Sequence, residues 1–307
     1  MLRHRANGFV CLVCVCLIAA ASACREAKPP AQAPERPDAR VRELADAYLD
    51  GFFERNPDQV TLFGVTGRRH DGLPDNSFDA LKAWQAREDV WLAQAKQIDP
   101  ALIEAPPLRG TYAIVREALE SSIGVRVCRQ ELWTVSQFVN SWQVQDGYTV
   151  TIQPVGTDEA RKEALARWSR LPKYIDTEIA NLREGLKAGY SAPKLNVRIV
   201  IDQMTALIAT PIAESPFDSP SVRDKTPEFM KQFDLLVREQ IVPAFTRYRD
   251  FLAKEYLPAA REAIAVSANP NGPRVTTRPC GITARCRWWP GTCTPSDDTR
   301  SSSWTRK

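Results

Sequence analysis

The chain has 307 residues, of which 44% are hydrophobic and 25% are charged. This composition is typical of a globular protein and is enough for one large domain or two smaller ones. The formal net charge of +4 is unevenly distributed, because residues 273–307 carry +5 and residues 24–272 carry −3. The basic balance therefore comes from the ends of the chain and gives no electrostatic reason to expect a nucleic-acid partner.

Residues 1–23 have the features of an export signal. Arg3 and Arg5 form a positively charged start, residues 9–21 are a continuous apolar run, and small residues precede Cys24. The run is too short to cross a bilayer as a mature helix. We therefore expect cleavage after Ala23.

The stretch from Ala21 to Cys24 is similar to a bacterial lipobox, although the Leu three residues before the cysteine is missing. Cys24 is therefore the predicted lipid attachment site, and more than one acyl chain would hold the protein stably at a membrane surface. Residues 24–37 contain four prolines and are interpreted as a tether. We expect a lipoprotein anchored on the periplasmic side of a membrane, with a secreted or soluble periplasmic protein as the alternative.

Residues 38–272 show mostly helical spacing of their apolar side chains. The predicted helices are one that starts near Asp38 and closes at Asn56-Pro57, one capped by Ser77, and further helices over 108–122, 158–170 with Thr157 as cap, 172–188, 193–209 and 226–241. Trp84 and Trp91 continue an aliphatic helix face and are assigned to the core. Pro243 and Pro258 are expected to divide the last helical stretch into pieces. The predicted fold is an all-α, irregular multi-helix domain.

Residues 133–155 are the exception to the helical pattern. Tyr148, Val150 and Ile152 alternate with polar residues, as in a short strand. A single strand would have no pairing partner in this chain. We therefore predict an extended connection over this stretch.

The sequence contains few side chains that could bind a metal ion. A zinc hydrolase needs imidazole or thiolate ligands that converge on one ion. The chain has two histidines, His4 in the signal and His70 in a turn-rich stretch, where we expect a solvated loop side chain. Cys128 is the only cysteine of the body, so no disulfide framework can form within it. We predict no metal site in the chain.

Two further residue pairs have catalytic residue types but do not predict a catalytic site. Ser191 and Lys194 have the spacing of a serine–lysine nucleophile, but they lie at a helix junction, where capping is the favoured role. Asp176 and Glu178 are two residues apart on one predicted helix, so they point to different faces and cannot act as an acid–base pair. We predict no catalytic residue in this chain.

Three stretches carry a family resemblance: RWSRLPKYIDTEIANLREGLKAGYSAP at 167–193, SPF at 215–217 and EYLPAAR at 255–261. Together they resemble the bacterial family called domain of unknown function 885, over about 38–272. The resemblance implies an exported helical protein, often a lipoprotein, of a zinc metallopeptidase-like family. In an intact relative, zinc would polarise a peptide carbonyl and activate water, and a motif Glu would act as general base.

The chain departs from this family at its end. The family carries a His-Glu-x-x-Pro-Gly-His zinc motif well downstream of the equivalent of residues 269–272, and this chain stops before it. No family catalytic residue can therefore be assigned here. Zinc and a peptide substrate are expected of an intact relative, and no cofactor is predicted for this chain.

The codons of the tail suggest a reason for this departure. Suppose that the reading frame is shifted, so that each codon begins at the third base of the present one. Trp288-Trp289 must then contain a Val codon and Trp289-Pro290 an Ala codon. The shifted frame permits a sequence similar to that of the family. We therefore expect 273–307 to be an out-of-frame, disordered tail on a truncated domain that is inactive as written; its cysteines then form no metal site. The alternatives are a genuine disordered extension and a non-catalytic helical lipoprotein that binds a peptide or protein partner.

Overall fold

The computed structural model describes residues 36–138, 141–270 and 272. All regular elements in this part of the chain are helical, which confirms the all-α fold class for it. The predicted signal over 1–23, cleavage after Ala23, lipidation of Cys24, nearly all of the tether and the tail over 273–307 lie outside the described residues.

Twelve α-helices follow one another in the described residues. They are α1 Pro37–Arg55, α2 Pro57–Leu62, α3 Phe78–Lys96, α4 Pro106–Val125, α5 Trp142–Ile152, α6 Asp158–Trp168, α7 Leu171–Lys187, α8 Lys194–Ala209, α9 Ser219–Asp224, α10 Pro227–Leu236, α11 Val242–Phe251 and α12 Leu257–Ala259. Short 3₁₀ turns lie between several of them, and Pro193 and Arg261 form an isolated β-bridge. None of the described helices is long and apolar enough to cross a bilayer.

Two of the predicted caps form as expected. The Ser77 hydroxyl accepts a hydrogen bond from the backbone N–H of Ala80 at 3.3 Å, and the Thr157 hydroxyl accepts one from Ala160 at 3.2 Å. Each satisfies a donor at a helix start that has no partner within the helix. Thr226 lies at the cap position of α10 but makes no such bond.

Pro243 and Pro258 do not break the last helix as predicted. The helical path is continuous over 227–259, and a π turn lies before each proline, at Val237–Ile241 and at Leu252–Tyr256. Proline lacks a backbone N–H and crowds the carbonyl four residues earlier. A wider turn accommodates both effects, so the prolines modify the helix without ending it.

The predicted extended connection over 133–155 is wrong in its second half, where α5 forms. The buried residues of α5 include Trp142, Asp146, Thr149 and Val150, which recur at helical spacing. Two of these four are polar, and the helical period of burial is therefore hidden from a pattern of apolar residues. The alternation of Tyr148, Val150 and Ile152 mimics a strand but has no structural role as one.

The apolar side chains form two cores. The smaller core joins α1, α3 and α4, and its buried residues include Val41, Leu44, Trp91, Tyr112 and Leu119. The Trp84 and Trp91 rings lie 5.5 Å apart, centre to centre, against this core. The prediction that both tryptophans serve packing is confirmed.

The larger core lies among α5 to α12 and depends strongly on the stretch 167–193. Trp168 and Leu182 of this stretch are fully buried. A Cβ atom on Gly185 would lie 1.7 Å from the carbonyl oxygen of Leu132, so only glycine allows α7 to approach the turn at Gln130–Leu132 so closely. The stretch that carries the family resemblance therefore acts mainly through packing.

Candidate functional site

A polar cavity of 220 Å³ lies where the α1–α2 junction meets α5 and α7. Its walls are formed by Arg55, Asn56, Asp58, Pro74, Asn76, Trp142, Gln145, Asp146 and Tyr174. Two of these side chains are carboxylates, one is a guanidinium and two are aromatic. Polar groups that converge beside aromatic side chains are one feature of ligand sites.

Local sequence signals position the cavity residues. Asn56 ends α1, with its side-chain Nδ2 donating to the carbonyl of Phe52 at 3.0 Å, and Pro57 starts α2. Asp58 then falls in the first turn of α2, where a negative charge is favoured by the helix dipole. On α5, Trp142 and Asp146 are one turn apart and share the face that borders the cavity.

Asp58 is buried but only partly hydrogen-bonded. The residue is only 2% exposed to solvent. Oδ2 accepts from the side-chain amides of Gln59, at 2.9 Å, and Gln145. Oδ1 has no partner among the described residues. One acceptor of this carboxylate therefore stays without a donor.

Asp146 is the second carboxyl of the cavity. It is 5% exposed and, within the described residues, neither accepts a hydrogen bond nor forms an ion pair. Burial, and then the nearby charge of Asp58, raise the pKa of Asp146 to about 8, against the opposing effect of Arg167. The side chain is therefore mostly protonated at neutral pH while the cavity holds no cation.

Arg167 lies behind the cavity and is fully buried. Its Nη1 donates to Thr61 Oγ1 at 2.7 Å and to Gln153 Oε1 at 2.8 Å, and its Nη2 donates to the Pro57 carbonyl at 3.3 Å. Burial lowers the pKa of Arg167 to about 10, so it remains charged at neutral pH. Arg167 thereby ties α6 to α2 and to the end of α5.

His70 belongs to the same network, which corrects the prediction of a solvated loop side chain. Its loop position is as predicted, but the residue is half-buried and its Nδ1 lies 2.9 Å from Thr61 Oγ1. Its backbone N–H donates to Glu163 at 3.0 Å and its carbonyl accepts from Gln153 at 3.1 Å. Burial lowers the pKa of His70. His70 thus supports the wall of the cavity without lining it.

Asn76 fixes the loop before α3 to α7. Its Nδ2 donates to the Tyr174 carbonyl at 3.1 Å and to Glu178 Oε2 at 3.2 Å, and Asn181 donates to its backbone carbonyl at 2.7 Å. Burial raises the pKa of Glu178 to about 7. Asp176, in contrast, pairs with Arg247 on the surface at 2.9 Å. The prediction that Asp176 and Glu178 occupy different faces is confirmed.

Ser191 and Lys194 do not form a nucleophile pair. The Lys194 ammonium contacts Glu262 Oε1 at 2.6 Å. Ser191 Oγ accepts from the backbone N–H of Arg261 at 3.2 Å, and the Ser191 N–H donates to Asn269 Oδ1 at 3.1 Å. No side chain caps α8 either, so the predicted capping role is wrong. Ser191 instead fastens the segment after α12 to the start of α8.

A scan against protein families gives one match. The model of the family described as "Bacterial protein of unknown function (DUF885)" matches residues 57–276. The chain belongs to this family. No curated protein matches the chain.

Within the DUF885 match lie Asp58, Asp146, Tyr174 and the Arg167 network, whereas Arg55 and Asn56 just precede it. A zinc ion, which the family resemblance implies, needs three or more protein ligands on one ion. No group of three His, Cys, Asp or Glu side chains in the described ranges could hold a metal. The described residues therefore do not fit zinc.

Sequence reasoning missed the cavity because it searched for nucleophiles and metal ligands. The acids that matter, Asp58 and Asp146, are 88 positions apart in the chain. One signal was present, because Trp142, Asp146 and Val150 recur every four residues, as on a buried helix face. Only the fold brings this face against Asp58.

Proposed function

We propose that this DUF885 protein is an exported, lipid-anchored protein whose helical body binds a peptide in the polar cavity. The observation that carries the binding part is the 220 Å³ cavity with its two incompletely paired, buried carboxyls. A buried polar group without a partner costs free energy, and a ligand that supplies the missing partner recovers it. The peptide class comes from the resemblance to metallopeptidase-like proteins.

Binding can be measured by titration calorimetry of the full-length chain, purified from membranes in detergent, with trialanine amide as probe. We expect saturable binding to one site. Gln145→Trp places an indole on the cavity wall and should abolish binding, whereas Tyr148→Trp, on the exposed side of the same helix, should leave binding unchanged. An absence of binding at millimolar probe would contradict the proposed binding.

The proposed anchoring is supported by the export signal, the lipobox-like sequence and the Pro-rich tether. Mass spectrometry of the N-terminal peptide tests it: wild type and Cys16→Ser should carry acyl chains on Cys24, and Cys24→Ser should carry none. An unmodified Cys24 at the mature N-terminus would instead indicate ordinary secretion.

The proposed relation to catalysis is that this chain supplies the peptide-binding part of a metallopeptidase-like protein and does not itself cleave. The codon argument over residues 288–290 supports an out-of-frame tail from about residue 273. Resequencing from codon 260 onward should reveal one inserted or deleted base and a restored frame with the His-Glu-x-x-Pro-Gly-His motif. A confirmed frame without that motif would favour the second candidate, a lipoprotein that binds peptide without cleavage.

A further inference from the structure

We propose that the cavity recognises a primary ammonium group, such as the N-terminus of a peptide, through the carboxylates of Asp146 and Asp58. This inference rests on the proposed peptide binding and adds the chemical group that the site selects.

Asp146 provides the first argument. The residue is 5% exposed, borders the cavity, and makes no hydrogen bond or ion pair within the part of the chain that the structure describes. Buried carboxyl groups are normally paired. A carboxyl kept without a partner inside a cavity is available to a ligand, and a cation is the partner that a carboxylate binds most strongly.

Asp58 provides a second, independent acceptor. Its Oδ2 is held by Gln59 and Gln145, which fix the carboxylate in place, whereas Oδ1 is shielded from solvent and has no donor among the described residues. Asp58 and Asp146 both line the cavity, and the charge of Asp58 raises the pKa of Asp146, so both side chains border the space that a ligand would occupy. An ammonium group carries three N–H donors and can serve both carboxylates.

The aromatic walls favour the same ligand. The rings of Trp142 and Tyr174 lie 6.5 Å apart in an edge-to-face arrangement and both line the cavity. Aromatic faces attract cations and exclude anions. Burial raises the pKa of Tyr174 well above its usual value, so its hydroxyl remains neutral and adds no charge of its own.

The two arginines nearest to the cavity donate their hydrogen bonds to groups other than Asp146. Arg55 lines the cavity but directs Nη1 to the Asp75 carbonyl, and Arg167 directs its donors to Thr61, Gln153 and Pro57. Glu178, held by Asn76, is a further acidic group nearby, and it acts on Tyr174. Neither arginine donates a hydrogen bond to Asp146, so this carboxyl remains available to a cation.

A divalent metal fits less well than an ammonium group. Calcium takes six to eight oxygen ligands and zinc prefers imidazole or thiolate. The cavity offers two carboxylates, and one oxygen of Asp58 already accepts two amide donors. An ammonium group needs only two or three acceptors.

Binding includes a proton transfer that can be measured. In the empty cavity at pH 6.5 the Asp146 carboxyl carries its proton, because its pKa is raised to about 8. When the ammonium group enters, the O–H bond of Asp146 breaks, its proton passes to the solvent, and the carboxylate pairs with the cation. Each bound ammonium should release close to one proton.

The experiment compares trialanine amide with N-acetyl-trialanine amide on the full-length chain at pH 6.5, by titration calorimetry in two buffers of different ionisation enthalpy. Acetylation removes the positive charge and two of the three N–H donors and adds an acetyl group, and it should weaken binding by about 10-fold or more. Asp146→Asn should weaken trialanine amide by a similar factor, abolish proton release, and leave the acetylated peptide unaffected. Asp202→Asn changes an exposed acid on α8 in the same way and should alter nothing.

The outcomes separate the two proposals. Equal binding of both peptides, or binding without proton release, would overturn the ammonium site while leaving peptide binding intact. Failure of both peptides to bind would overturn the proposed function itself. Calcium chloride serves as a third probe, and calcium that displaces trialanine amide with higher affinity would identify a metal site in place of an ammonium site. A thermal melt of Asp146→Asn establishes that the variant is folded.

Discussion

Arg167 and Asp146 are both buried and ionisable, but they have opposite surroundings. Arg167 is fully buried and donates three hydrogen bonds, to Thr61, Gln153 and the Pro57 carbonyl. Asp146 is almost as deeply buried and, among the described residues, has no hydrogen-bond partner. Arg167 leaves only its Nε without a partner, whereas neither carboxyl oxygen of Asp146 accepts a hydrogen bond from the described residues. We therefore assign a structural role to Arg167, and the ligand proposed above is placed at Asp146.

The comparison also explains the conformation of His70 and Asn76. Both lie in the long connection between α2 and α3, and both make hydrogen bonds to helices far away in sequence. These bonds hold the connection against α6 and α7, so the cavity has a rigid wall. Such a wall lets Asp146 stay in the cavity without a hydrogen-bond partner among the described residues, because the surrounding scaffold holds its helix in place.

Removal of the Arg167 guanidinium gives the largest expected effect. Arg167→Met keeps the length of the side chain but leaves Thr61, Gln153 and the Pro57 carbonyl without their donor. We expect the free energy of unfolding to fall by about 4 kcal/mol, measured by urea denaturation. Arg198→Met, on the exposed face of α8, should cost less than about 0.5 kcal/mol. Equal effects of the two substitutions would remove the structural role of Arg167.

Asp146, which has no partner among the described residues, should make the protein less stable as the pH rises, whereas Arg167 stabilises it. Asp146 has a folded-state pKa of about 8 against 3.8 in a model compound. Its contribution to stability is therefore complete below the lower value and is lost as the pH rises towards the upper one. Between pH 6 and pH 7 the wild type should lose up to about 1.4 kcal/mol relative to Asp146→Asn. Thermal or urea unfolding of both proteins at each pH measures this difference.

A flat difference between wild type and Asp146→Asn over that pH interval would contradict the buried, unpaired state of the carboxyl. Asp176→Asn is the matched control. Asp176 is exposed and paired with Arg247, so its removal should not produce a pH dependence between 6 and 7. A pH dependence that disappears in Asp146→Asn but not in Asp176→Asn would show that it comes from the buried, unpaired carboxyl and not from any acidic residue.

The sequence predicts the helices best where local signals decide them. Ser77 and Thr157 supply their own hydrogen bonds at helix starts, and Pro106 and Pro172 occupy the first turns of α4 and α7. These signals depend on a few neighbouring residues, so a linear pattern contains them. The packing role of Trp91 follows similarly from one helix face.

The sequence fails where tertiary contacts decide the structure. In α5 the Asp146 side chain is buried beside a polar cavity, and the Thr149 hydroxyl is buried because it donates to the Gln145 carbonyl of its own helix. The burial of these polar residues cannot be inferred from the stretch alone. The same applies to His70, whose partners Thr61 and Glu163 lie 9 and 93 residues away. The prolines at 243 and 258 stay helical because each is preceded by a π turn within a long, packed helix. The errors at α5 and His70 lie at the candidate site or beside it, since both depend on long-range polar contacts.

Helix starts with and without an observed cap hydrogen bond give the smallest expected effect. Ser77 and Thr226 occupy equivalent positions before α3 and α10, but only Ser77 accepts a hydrogen bond from its helix, whereas the Thr226 side chain bonds Asp224. Ser77→Ala should therefore lower the free energy of unfolding by about 1 kcal/mol, and Thr226→Ala by less than about 0.5 kcal/mol. Urea denaturation of both variants resolves such a difference. If Thr226→Ala cost as much as Ser77→Ala, residue type at the cap and not the observed hydrogen bond would decide stability, and the distinction drawn between Arg167 and Asp146 would lose its simplest support.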